Sequence, residues 1–283
     1  MKKTSIIFIF LLTSFIMPQI SYCEDEIEYL SEQTAQKEIF GHPDIMTTTL
    51  EKYINIASKK QNSYTANWKI SELAYYISEY YMFKHNIYLT EKYLTLGVKY
   101  AKKSTKINPN GIEGKYWLIA NLALYSDIKG PSKMIAEVII EAKKTMENIS
   151  SLDKEMKYMN GGWGRYIGRF YISMPSPPQS FGDSKKGVAI LEDVRKKYPT
   201  LTNINVLAQG YMVRGQLIKA KQLLNGNLNS ITNIDTSSYI NRRDISFTKT
   251  LLELTKKAIR LNKNAISISD ILKIKYNYSL NLN

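Results

Sequence analysis

The side chains of this chain best suited to metal binding or covalent catalysis are two histidines and one cysteine. His42 and His85 are far apart in the sequence, and neither has a nearby ligand partner, so no metal site is expected. Neither a Gly-x-Ser-x-Gly nucleophile motif nor a phosphate-binding loop is present, and the acidic residues show no spacing that pairs them. We therefore expect no catalytic residue and no cofactor, and a protein that is not an enzyme.

A second group of residues combines tryptophan, tyrosine and arginine. Trp163 precedes Arg165 and Arg169, and Trp117 and Tyr125 occupy the comparable segment before them. Arginine binds carboxylates through a planar fork of donors and stacks on aromatic rings. The group predicts a wall that binds an anionic organic solute or an acidic segment of a partner protein. The alternative is a solvated face with structural tryptophans.

Phe181 is the remaining candidate contact residue. It ends a proline-rich stretch, because residues 171–187 read YISMPSPPQSFGDSKKG. Prolines stiffen a loop that has no helical hydrogen bonds of its own, and an apolar residue on a stiff turn can dock onto a partner. Asp183 or Ser184 is expected to cap the helix that follows.

Helices must position these residues, since nearly every segment favours helix and strand-like alternation is scarce. Turn signals recur at residues 108–111, 129–131, 175–182 and 198–199. The sequence therefore predicts an all-α fold of antiparallel helical hairpins in series.

One hairpin shows a recognisable pattern of large, small and aromatic residues, in the order Leu207, Ala208, Tyr211, Gly215, Ala220 and Leu224. Small residues at 208 and 220 would let two helices touch, and the large ones would fill the groove between them. This pattern resembles the tetratricopeptide repeat (TPR). The resemblance implies a TPR-like α-solenoid and says nothing about a ligand.

Further hairpins follow the same pattern. Gly168 and Gly187 match the two small positions, which makes the proline-rich stretch an insertion at the hairpin turn. Gly97 and Pro109 repeat the spacing of Gly187 and Pro199, with an extended turn expected over residues 85–90. A more degenerate pair of helices is expected on either side of residues 130–131.

Four segments of the chain follow from this pattern. We expect a signal peptide at 1–23, flanking helices at 24–64, TPR-like hairpins at 65–227, and a closing helix with a tail at 228–283. The closing helix is expected over residues 245–261.

Residues 1–23 have the layout of a secretory signal. Two lysines precede an apolar run at 6–17 that is too short to span a bilayer. Ser21 and Cys23 supply the small residues of a cleavage site after Cys23. The alternative is a lipid anchor on Cys23, although Tyr22 is unusual before a lipidated cysteine. Both readings predict a periplasmic or secreted protein with no transmembrane helix in its mature form.

The formal net charge of +14 could attract anionic lipid, lipopolysaccharide or nucleic acid. The alternative is compositional, because Lys, Asn, Ile and Tyr are all abundant, as an AT-rich genome would produce. The tyrosines and lysines do not form the sheet platform of single-strand binders, so we do not expect nucleic acid as a partner.

A narrower resemblance rests on four motifs, which are Pro-Asn-Gly at 109–111, Tyr-Trp at 116–117, Gly-Arg-x-Tyr at 168–171 and Phe-Gly-Asp at 181–183. Over residues 51–227 the chain resembles the periplasmic TPR-like T components that accompany TRAP transporters. That resemblance implies a partner among the solute-binding subunits and a hydrophobic ligand in a central channel.

Three functions remain open from the sequence. The first is an interaction scaffold that binds another envelope protein. The second is an accessory of TRAP-type uptake that carries a small hydrophobic or anionic ligand. The third is a secreted cationic protein that binds the envelope or acts as an effector. An open groove would favour the scaffold, and a closed channel lined by tyrosines would favour the carrier.

Overall fold

The computed structural model describes residues 42–60, 62–129, 135–229 and 238–277, together with Ile27, Leu30 and Thr236. The predicted signal peptide, the choice between cleavage and lipidation at Cys23, and residues 278–283 lie outside the described residues. Within the described part of the chain the structure is all-helical and has no strand. The predicted all-α class is confirmed.

Eleven helices cover most of the described residues. They are α1 Pro43–Lys59, α2 Tyr64–Phe83, α3 Ile87–Ile107, α4 Ile112–Lys129, α5 Ile135–Leu152, α6 Gly162–Ser173, α7 Ser184–Lys197, α8 Leu201–Val213, α9 Leu217–Asn229, α10 Tyr239–Arg260 and α11 Ile268–Asn277. None of them is long and apolar enough to cross a membrane.

The helices pack as hairpins in series. The pairs α2/α3, α4/α5, α6/α7 and α8/α9 are in contact, and each second helix also packs on the helix that follows it. The first helices α2, α4, α6 and α8 contact one another in that order, and α10 continues the row. We call these five helices the inner layer.

Polar side chains start several helices at the positions that helix capping requires. Ser63, Asn86, Asp183 and Thr200 each accept a hydrogen bond from the backbone N–H three residues later, at 2.9 to 3.3 Å. This acceptance satisfies an amide that has no partner within the helix. Asp183 therefore caps α7, which resolves the choice between Asp183 and Ser184.

Two hairpin turns share one backbone conformation. His85 and Gly215 both have positive φ, at 55° and 72°, and the next N–H donates to a carbonyl five residues earlier in each turn. The prediction of an extended turn over residues 85–90 is wrong, because α3 already begins at Ile87. The additional residues lengthen α3 and leave the turn short.

Small residues bring α6 and α7 together as predicted. A Cβ atom at Gly187 would lie 2.6 Å from the carbonyl oxygen of Gly168, so only glycine fits at this contact. Ala208 and Ala220 are fully buried between α8 and α9.

The C-terminal segment is more helical than expected. The closing helix α10 starts at Tyr239, ahead of the predicted residue 245, and α11 follows within the predicted tail. Helix α11 contacts α10, α8 and also α2, at the beginning of the row of hairpins.

Candidate functional site

The inner layer surrounds a cleft that is the candidate site. It measures about 650 Å³ when its open mouth is counted. Side chains of α2, α6, α8 and α10 line it, and the charged and aromatic ones among them include Tyr75, Glu79, Arg165, Tyr166, Arg169 and Arg243. A neighbouring depression shares Tyr166 and Arg169 and extends to α4.

Helical spacing directs these residues to the cleft. Tyr75 and Glu79 are four residues apart on α2, and Arg165 and Arg169 are four residues apart on α6. Residues separated by four positions lie on the same face of a helix. Helices α2 and α6 therefore each present a pair of polar or aromatic side chains to the same space.

An ion pair joins the first and last helices of the inner layer. Nη1 of Arg243 lies 2.7 Å from Oε2 of Glu79, and Nη2 lies 2.9 Å from Oδ1 of Asp244. The Arg243 and Glu79 side chains are only 14% and 4% exposed. Burial lowers the pKa of Arg243, but the carboxylates of Asp244 and Glu79 outweigh it and raise the pKa well above its ordinary value. The guanidinium therefore stays charged, and its ion pair with Glu79 joins α10, the last inner helix, to α2, the first.

Two neutral side chains of helix α8 donate hydrogen bonds to Asp244. The hydroxyl of Thr202 donates to the carboxylate of Asp244, and Nδ2 of Asn205 donates to the backbone carbonyl of Asp244 at 2.9 Å. Buried carboxylates need such partners because desolvation is costly. These contacts fix α10 against α8 and hold Asp244 in place for Arg243.

Arg169 is bound to a carboxylate of the neighbouring helix. Its Nη2 lies 2.8 Å from both carboxylate oxygens of Asp127 on α4. Both side chains are largely buried. Arg169 therefore links α6 to α4, and its positive charge is matched by a carboxylate.

Arg165 has a different environment. Its Nη1 donates to the backbone carbonyls of Met159 and Asn160 at 3.1 and 2.9 Å, and to Oδ1 of Asn203 at 2.7 Å. Among the described residues no carboxylate lies within ion-pair distance of Arg165, and its Nε and Nη2 have no acceptor. The backbone contacts hold the guanidinium in position and leave two donor groups for another molecule.

Two tyrosines complete this side of the cleft. Burial is the main cause that raises the pKa of both Tyr75 and Tyr166 well above the ordinary value. Both hydroxyls are therefore neutral at physiological pH. A neutral phenol can donate to an anion and can accept from a guanidinium.

The two predicted tryptophans lie behind the cleft, in the core. Trp117 packs against the rings of Tyr75, Tyr76 and Tyr116, with centroids 5.0 to 5.7 Å away. Nε1 of Trp163 lies within hydrogen-bonding distance of the backbone carbonyl of Asp153 and of its carboxylate. In this conformation both rings serve packing, and a binding role for them stays a prediction.

Tyr125 and Phe181 are also separate from the cleft. Tyr125 packs on a small apolar cluster that includes Met82 and Leu94. The Phe181 ring packs edge-on against Tyr171, with centroids 5.8 Å apart, and Lys143 lies 6.0 Å from its centroid. The proline-rich turn therefore holds Phe181 against the protein, partly buried. Of the predicted binding residues, the structure brings only Arg165 and Arg169 together at the cleft.

Sequence reasoning did not single out Glu79, Arg243 or Asp244. Glu79 is separated from Arg243 by 164 residues, and no local spacing relates them. The one available signal was a glutamate within an apolar and aromatic run of α2, ISEYYMF. Buried acids are rare unless they are paired, so this glutamate pointed to a distant cation.

No family model matches the sequence, and no curated protein matches it either. Among the described residues there is no group of three or more His, Cys, Asp or Glu side chains that could hold a metal ion. The cleft therefore has to be interpreted from its own chemistry.

Proposed function

We propose that this chain is an exported, non-enzymatic, TPR-like protein that binds a small organic anion in the cleft of its inner layer. The observation that carries the proposal is Arg165, whose Nε and Nη2 have no acceptor among the described residues. A carboxylate is the natural occupant, because it accepts two hydrogen bonds from a guanidinium in one plane.

The closure of the inner layer favours a small ligand over a peptide. The ion pair between Glu79 and Arg243 joins the first and last inner helices, whereas an extended peptide would need an open groove between them. Tyr75 and Tyr166 add an aromatic wall next to the arginine. This environment supports the carrier function, in which the protein is an accessory of solute uptake resembling the TRAP T components.

A second candidate is the scaffold function, which a different surface favours. The first turn of α3 exposes Ile87 and Tyr88, and Tyr88 is 78% exposed. A protruding aromatic next to an aliphatic residue is typical of protein contact sites. Another envelope protein, such as a solute-binding subunit, would be the partner at this turn.

Native mass spectrometry of the protein purified from its own cells tests the ligand proposal. We expect an anionic organic molecule to copurify with the wild type and to be lost from Arg165→Gln. The matched control is Arg195→Gln, which changes an exposed arginine on α7 and should retain the ligand. Thermal unfolding of each variant checks that the fold persists.

Arg165→Lys provides a further control, because it keeps the charge and removes the fork of donors. We expect it to retain the ligand more weakly than the wild type. If no small molecule copurifies, or if Arg195→Gln loses it equally, the ligand proposal is wrong. A protein partner that is lost only on Tyr88→Ser would support the scaffold function instead.

A further inference from the structure

A second concave surface lies at the C-terminal end of the row of hairpins, between α10 and α11. This end groove has an apolar floor that includes Leu254, Ala258, Ile266 and Ile274. It measures about 590 Å³ when its open mouth is counted. It does not share any lining residue with the cleft of the inner layer.

Lysines surround the end groove. Lys257, Lys263 and Lys273 line it, and all three are exposed. The single acid in the lining is Asp270, whose Oδ1 lies 3.9 Å from Nζ of Lys273. The rim of an apolar surface is therefore strongly positive.

Aliphatic side chains protrude next to the end groove. Leu261 is 58% exposed at its rim, and Ile218, at the start of α9, is 56% exposed. The turns that carry them are in contact, because a Cβ atom at Gly215 would lie 2.4 Å from the carbonyl oxygen of Asn264. The exposed cations Arg214 and Lys219 flank Ile218. Apolar and basic side chains are thus exposed together on these two contacting turns.

We propose that this surface docks on a lipid bilayer that contains anionic lipid. Protruding aliphatic side chains can enter the boundary between headgroups and acyl chains, while lysines on the same surface meet the phosphates. A second copy of the chain is a poorer occupant, since it would bring the same three lysines to the contact. The formal net charge, +14 for the whole sequence and 14 − 2 = +12 without residues 1–23, adds long-range attraction to an anionic membrane.

This inference goes beyond the proposed function, because it concerns a different surface and does not depend on what fills the cleft. It gives the protein an orientation, with its C-terminal hairpins against the membrane. The inner-layer cleft would then be held at a fixed distance from the bilayer.

A tryptophan reporter tests the docking directly. Leu261→Trp is expected to show a blue-shifted emission that is quenched by vesicles of brominated phosphatidylcholine and phosphatidylglycerol. Ile140→Trp is the matched control, because Ile140 is 66% exposed on α5 and lies outside this surface. The three native tryptophans give the same background in both variants. Membrane contact by another apolar segment would affect both variants alike, so stronger quenching of Leu261→Trp than of Ile140→Trp reports contact at position 261.

Charge reversal tests the electrostatic part. Lys257→Glu with Lys263→Glu should weaken vesicle binding at least about tenfold, because each lysine near an anionic surface contributes to the attraction. Lys154→Glu with Lys196→Glu makes the same change of net charge away from the groove and should weaken binding much less. Binding by the wild type should also decrease with salt.

Three results of these two experiments would overturn the docking proposal, and a fourth would come from sedimentation. They are equal quenching at positions 261 and 140, no quenching by anionic vesicles, and equal loss of binding in the two charge-reversed pairs. A dimer in sedimentation that dissociates on Leu261→Ser would assign the end groove to a second copy of the chain, which also excludes the membrane as its occupant.

Discussion

At the scale of single residues, several polar side chains of the inner layer join helices. Nδ2 of Asn121, for example, donates within α4 to the carbonyl of Trp117 and lies near the hydroxyl and carbonyl of Ser71 on α2. Arg169 is bound to Asp127 in the same way. Most buried polar groups in proteins are hydrogen-bonded, and here neighbouring helices supply partners for these side chains. Arg165 differs in being only partly buried, and its Nε and Nη2 have no acceptor among the described residues. The buried Nε1 of Trp117 has no acceptor either.

Glu72 gives a residue-scale prediction about pH. Burial raises the pKa of its carboxyl above the ordinary 4.5, although Lys69, whose Nζ is 3.1 Å from Oε2, lowers it. The folded protein therefore holds this proton to a higher pH than the unfolded chain does. The stability that Glu72 contributes is greatest in acid and is lost as the pH rises through the folded pKa. We expect Glu72→Gln to gain stability relative to the wild type between acid and neutral pH, as measured by urea unfolding.

Lys69→Gln is the complementary variant for this prediction. It removes the cation that lowers the pKa of Glu72, so its stability should decrease more steeply with pH than that of the wild type. A Glu72→Gln variant whose stability relative to the wild type falls towards neutral pH would contradict the assignment.

At the scale of the elements, helix contacts depend on side chains small enough for close approach. Helices α6 and α7 meet where Gly187 faces the carbonyl oxygen of Gly168. The sequence alone predicted this contact, because small residues at these positions are required whenever two helices of a hairpin touch.

Two glycine substitutions give the element-scale prediction. Gly187→Ala places a methyl group 2.6 Å from a backbone oxygen, which cannot move without shifting α6, and should cost about 1–3 kcal/mol of unfolding free energy. Gly226→Ala is the control on α9, where a Cβ atom meets nothing within 4 Å. It should stabilise the protein by about 0.5–1 kcal/mol, because alanine favours helix. Urea unfolding measures both, and changes of the same sign would refute the contact.

Spacing predicted the contacts of the helices better than their lengths. Gly97 and Pro109 have the same spacing as Gly187 and Pro199. This match led to the prediction of an extended turn at residues 85–90, whereas α3 starts at Ile87. A repeat pattern constrains only the residues at the contact between two helices. A helix can extend beyond that contact without changing it, so helix ends depend on local caps such as Asn86.

At the scale of the whole molecule, the row of hairpins returns to its own beginning. Helix α11 contacts α2, and Arg243 on α10 binds Glu79 on α2. A repeat solenoid normally has contacts between neighbours only. The sequence could predict the hairpins and the two cleft arginines Arg165 and Arg169 from local spacing. It could not predict the closure, because that depends on how the small rotations between successive hairpins add up.

The closure leads to a prediction about cooperativity. Glu79→Ala leaves Arg243 buried with one carboxylate fewer, which should cost about 3 kcal/mol. Glu79 and Arg243 are 164 residues apart in the sequence, and their ion pair joins α2 to α10. We therefore expect Glu79→Ala to exchange its amide hydrogens faster in α10 as well as in α2. Glu253→Ala is the control, since it removes an exposed partner of Lys256 on α10 itself and should change exchange little. If faster exchange on Glu79→Ala stays within α2 and its neighbours, the hairpins behave as an open row and the ion pair does not couple its ends.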